Sequence, residues 1–118
     1  MGINNQDTES ILLVDDNPTN LQVLFQTLDG VGCKLLVAKN GEIALSIAGK
    51  ARPDLILLDM VLSDMMGTQV VERIRENPRW RQIPIVIVSA RGADTDVVAG
   101  LETGADGYIV KPFHPRAL

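Results

Sequence analysis

Cysteine, histidine, tryptophan and tyrosine each occur once in these 118 residues, and aromatics make up 3% of the chain. A lone Cys33 cannot form an internal disulfide, and no stretch reads as a secretory h-region, so a reducing, cytoplasmic setting is expected. One cysteine and one histidine, His114, cannot build a Cys/His zinc site. With a single possible imidazole base and no G-x-S-x-G elbow, a Ser-His-Asp hydrolase is disfavoured. A net charge of -4 gives no diffuse pull toward phosphate backbones or anionic membranes, so nucleic acid and membrane are both poor partners for this segment. No apolar run approaches the length of a membrane span. Gln6 stands where an N-myristoylation motif needs Ser or Thr. No Walker A sequence is present, and GVGCKL at 30–35 follows a helical pattern rather than a strand, so it is not a dinucleotide loop.

What is abundant is aliphatic. Hydrophobic residues reach 46%, almost all of them Val, Ile, Leu, Ala and Met. Continuous apolar runs mark five strands: ILLV (11–14), CKLLVA (33–38), DLILLD (54–59), IPIVIVS (83–89) and GYIV (107–110). Runs without polar alternation predict strands covered on both faces. Between them, Leu21, Leu24, Phe25 and Leu28 share one helical face behind Pro18, and Ala44, Ile47, Ala48 and Ala51 repeat that spacing before Pro53. Val70, Val71 and Ile74 mark a third helix stopping near Asn77-Pro78, and Val97, Val98 and Leu101 a fourth closed by Gly104.

Strict alternation of strand and helix demands right-handed crossovers, hence an α/β doubly wound, five-stranded parallel sheet with helices on both faces. The expected domain runs over residues 10–118, after a disordered lead-in at 1–9. HPRAL leaves only about one turn of a fifth helix, so a truncated last helix is expected, with its apolar strip covered by further chain or a partner.

Sites in such sheets form beyond the carboxyl ends of the strands. The acids gather there: Asp15 and Asp16 follow the first strand, Asp59 ends the third, Ser89 the fourth, and Lys111 follows the fifth. Two carboxylates ~4 Å apart repel by about 4 kcal/mol at an effective dielectric of ~20, so a cation should join them. An all-oxygen, partly hydrated set suits Mg²⁺ or Mn²⁺. A divalent ion, a hydroxyl and an ammonium together suit a tetrahedral dianion, with Asp59, on the middle strand, the best candidate to attack phosphorus and form an aspartyl phosphate.

VDDN (14–17), DLILLDM (54–60), IPIVIVSA (83–90) and GADGYIVKPF (104–113), in that order and spacing, resemble the receiver domain of two-component response regulators. The resemblance implies a flavodoxin-like fold with strand order 2-1-3-4-5. It implies that Asp59 accepts a phosphoryl group from a histidine kinase or histidine phosphotransfer protein, and that the domain catalyses its own phosphorylation and dephosphorylation without being a conventional enzyme. Asp16, Asp59 and the Val61 carbonyl would ligate Mg²⁺, with Asp15 acting through water. Ser89 and Lys111 would hold phosphoryl oxygens. Ser89 and Tyr108 would form the switch that alters partner contacts on the face of the fourth helix and fifth strand. A homodimer and a downstream output domain or protein complete the implied partners.

One position departs from the family pattern: Ser63 stands four residues after Asp59, where receivers usually carry proline, and a looser loop is expected. Two other functions compete. An aspartate-nucleophile phosphohydrolase would need a second acid where Val61 stands, and a receiver-like docking module would never carry phosphate. Helix capping by Asp15-Asp16-Asn17 is the simplest structural alternative for the first acids.

Overall fold

The computed structural model describes residues 9–28, 32–89 and 101–110. The lead-in before residue 9, most of the fourth helix, Lys111 and the start of a fifth helix lie outside the described residues. The elements are β1 (Ser10–Val14), α1 (Pro18–Leu28), β2 (Lys34–Ala38), α2 (Gly41–Ala51), β3 (Leu55–Asp59), α3 (Gly67–Glu76), β4 (Ile85–Ser89) and β5 (Gly107–Val110). All five strands pair in parallel in the order β2-β1-β3-β4-β5. Leu101, Glu102 and Thr103 are helical and end at Gly104, whose φ of +123° is open to glycine alone at no steric cost.

Alternation along the strands divides the core in two. Leu12, Val14, Ile56, Leu58, Ile85 and Ile87 meet Ala44 of α2 and Val70, Val71 and Ile74 of α3. Ile11, Leu13, Leu57 and Val88 face the other way, under Leu21, Leu24 and Leu28 of α1. Each strand residue therefore points to the layer opposite its neighbour's, which is why the runs read as continuously apolar. Six of these strand side chains, Leu12, Leu13, Ile56, Leu58, Ile85 and Ile87, are wholly buried.

β2 departs from the expectation of two covered faces. It is an edge strand, Val37 is 40% exposed, and it borders a shallow groove with Pro18, Leu21 and Phe25 of α1. An edge strand needs less cover than a central one, and CKLLVA carries no signal that separates the two.

Arg75 on α3 ties three segments together. Its guanidinium donates to the carbonyls of Gly104 (2.9 Å), Arg81 (2.7 Å) and Ile83 (2.7 Å) and to Asp106 Oδ2 (2.8 Å). Asp106 Oδ2 also accepts from the Ile85 N–H at 2.8 Å, so the entry to β4 and the turn into β5 hang on one ion pair.

Candidate functional site

β1 and β3 are adjacent, and the register pairs Val14 with Leu58. One residue further, the same register sets Asp15 opposite Asp59. Both extend the faces already defined by Ile11 and Leu13 and by Leu57, so their Cα–Cβ bonds leave the same side of the sheet. Asp16 follows at the start of the loop to α1. The result is a cluster in which Asp15, Asp16 and Asp59 each offer a carboxylate oxygen within 4.8 Å of the others.

Asp15 is the most enclosed of the three, at 1% exposure; Asp59 is half-buried and Asp16 exposed. A buried carboxylate needs hydrogen bonds or a counter-charge. Asp15 accepts the Asn17 N–H at 2.9 Å, and its own N–H donates to the Ala38 carbonyl. Three anions so close, with one side open to water, match a hard divalent cation with several oxygen ligands.

The capping alternative resolves onto one residue. Asn17 Oδ1 accepts from the N–H groups of Thr19 (2.8 Å) and Asn20 (3.3 Å), so Asn17 caps α1 while Asp15 and Asp16 remain with the cluster. Asn17→Ala is expected to lower stability by about 1 kcal/mol in urea unfolding, the usual cost of losing such a cap, while leaving the three carboxylates in place.

Beyond Asp59 the chain makes a closed loop at residues 60–66. Val61 and Met66 form an antiparallel bridge, the Leu62 N–H donates to the Met65 carbonyl (3.1 Å), and the Gly67 N–H donates to the Met60 carbonyl (2.6 Å). Val61 is 42% exposed. The tip of this loop, Ser63-Asp64, reaches α2: Asp64 accepts the N–H groups of Gly41 (2.8 Å) and Glu42 (3.0 Å). The looseness expected from Ser63 is thus opposed by a carboxylate that sequence reading passed over. These two backbone donors hold the Asp64 carboxyl below the usual carboxylate range. Its contribution to folding is complete above the ordinary carboxylate pKa and disappears as pH falls through the lowered folded value.

Ser89 is the last residue of β4, one step beyond Val88, which pairs with Asp59. This sets its backbone at the same rim as the acids. Tyr108 lies on β5 opposite Ile87, half-buried against the α2/α3 core. Lys111 lies outside the described residues. No helix among the described residues is long and apolar enough to cross a membrane.

Comparison with known proteins agrees with this geometry. The response regulator receiver domain family matches residues 11–118. The transcriptional regulatory protein AfsQ1 of Streptomyces coelicolor is 42% identical over 109 residues, covering 92% of this chain and 47% of that protein. The chain thus spans about half the length of the curated relatives it matches. Among solved structures, the chemotaxis response regulator CheY4 of Vibrio cholerae superposes with a TM-score of 0.86 at 31% identity, over 92% of this chain and 91% of that one. The Mn²⁺-bound form of response regulator Rcp1 gives 0.81 at 27% identity, over 93% and 86%. A sheet that delivers acids from two neighbouring strands to one rim, joined to this match along almost the whole length, shows that the chain belongs to the receiver domains of two-component response regulators.

Proposed function

We propose that this receiver is a phosphorylation-dependent switch whose acceptor is Asp59. A carboxylate oxygen of Asp59 attacks the phosphorus of a phosphohistidine on a histidine kinase or phosphotransfer protein. A P–O bond forms, the P–N bond breaks, and the imidazole leaves. Water later attacks the acyl phosphate, returning the carboxylate and inorganic phosphate. Mg²⁺, or Mn²⁺ in its place, would supply charge neutralisation for the phosphoryl oxygens.

In this reading Asp16, Asp59 and the Val61 carbonyl would hold the ion directly, with Asp15 acting through water. Ser89 donates a hydrogen bond to one phosphoryl oxygen, and Lys111 neutralises another. Movement of Ser89 toward the phosphoryl group, followed by Tyr108, shifts a pre-existing equilibrium on the surface of the fourth helix and fifth strand. A homodimer or an output domain would read that surface. Since AfsQ1 is a transcriptional regulatory protein, control of transcription by a segment beyond this one is the favoured output, in a cytoplasmic setting.

The observation that carries the proposal is the convergence of Asp15, Asp16 and Asp59 within 4.8 Å at the carboxyl ends of β1 and β3. Incubation with acetyl phosphate and Mg²⁺, followed by intact mass measurement, should add one phosphoryl group to the wild type and none to Asp59→Asn. An equal adduct in that variant would remove Asp59 as the acceptor.

A further inference from the structure

The first three N–H groups of α2 are all taken, but by two different elements. Asn40, the local cap, accepts the Ile43 N–H at 2.8 Å. Asp64 accepts those of Gly41 and Glu42, although it lies 23 and 22 residues further along the chain. Asn40 covers only one of these donors, and a charged acceptor at the positive end of the helix holds the other two more firmly than a neutral one would. The two bonds therefore tie the loop at residues 60–66 to the start of α2.

That loop is built to transmit the anchor. Asp64 sits at its tip, between Val61 and Met66, which pair across its base. Met65 packs over Gly41 beside the anchor. Pinning the tip to α2 leaves the Val61 peptide held on both sides, by Asp59 at the end of β3 and by the closed loop beyond it. Ser63 leaves φ unrestricted where the usual proline would fix it, so here the restraint comes from the side chain of the next residue.

We propose that Asp64 is a positioning residue for phosphoryl transfer: by fastening the acceptor loop to the N-terminus of α2, it holds the Val61 carbonyl in place toward the acidic cluster. This rests on the reading of that carbonyl as a metal ligand. Asp64 touches neither metal nor phosphoryl group and acts through the peptide three residues before it.

A plain capping role makes a different prediction, and Asn40→Ala separates the two, because it removes a cap from the same helix end without touching the loop. Mg²⁺ affinity by calorimetry and the initial rate with acetyl phosphate are measured on wild type, Asp64→Ala, Asp64→Asn and Asn40→Ala, with thermal unfolding alongside. Asp64→Ala should weaken Mg²⁺ binding and slow phosphorylation by roughly tenfold, the scale found for groups that orient metal ligands. Asp64→Asn, which keeps an acceptor oxygen, should fall between, and Asn40→Ala should bind and react as wild type even where its melting temperature drops as far. Wild-type affinity in both Asp64 variants, or equal losses in Asp64→Ala and Asn40→Ala, would overturn the proposal. Failure of the wild type itself to bind Mg²⁺ would instead bring down the underlying site reading.

Discussion

Gly67→Ala should cost about 3 kcal/mol of stability, at the upper end for an overpacked position, and should slow phosphorylation of Asp59 by more than tenfold. Gly67 opens α3, and its backbone lies directly against Asp59. A Cβ there would collide with the Asp59 carbonyl oxygen and stand 3.0 Å from the Met60 Cα. Both are backbone atoms, so no side chain can swing aside. Relief must come from moving α3 away or from displacing the end of β3, and the Gly67 N–H to Met60 carbonyl bond resists the first. The requirement is steric, since Gly67 is an ordinary helical residue. Urea unfolding and the acetyl phosphate reaction measured on one preparation test both halves. Unchanged stability with unchanged rate would show that the helix start gives way freely.

Arg75→Ala carries the other large expected effect, a loss of about 3 kcal/mol, the scale for removing one partner from a partly buried, charge-assisted network. Four acceptors each lose a donor at once, three carbonyls and the Asp106 carboxylate, the last keeping the Ile85 N–H. The Arg75 side chain is 21% exposed while that of Asp106 is 56% exposed, so water can compensate the acid more readily than the carbonyls. Arg75→Lys should recover only a minor part, because an ammonium cannot span acceptors laid out for a planar fork. By contrast the Arg73–Glu42 pair, at 4.0 Å with both side chains largely exposed, should contribute almost nothing. A midpoint in urea for Arg75→Ala within error of wild type would contradict this assignment.

These two residues illustrate where the sequence is silent. ILLVDD and LILLD state their own business: an apolar run ending in acids implies a buried strand delivering charge to a rim, and strict alternation with helices puts both rims at one end of a parallel sheet. From there the neighbouring positions of Asp15 and Asp59 follow once the strand order is known. Arg75 reads only as a charge in the last turn of a helix, since its acceptors lie up to 31 residues away in two loops. Asp64 reads as a turn residue, and nothing near it in sequence tells that α2 begins beside it. Gly67 reads as a helix start, with no sign of the carbonyl against it. The exposure of Val37 likewise depends on β2 lying at the sheet edge, which CKLLVA shares no local mark of. Contacts set by the distance between elements are invisible to a pattern that repeats every two or 3.6 residues.

The most direct test of the central claim is to find which atom carries the phosphoryl group. Wild-type protein treated with acetyl phosphate and Mg²⁺, then reduced with borohydride to trap the acyl phosphate and digested for peptide mass analysis, should show reduction at Asp59 alone, and none when EDTA replaces Mg²⁺. Trapping at another residue, or equal trapping without the metal, would contradict the account of a divalent cation and three converging carboxylates directing transfer to Asp59.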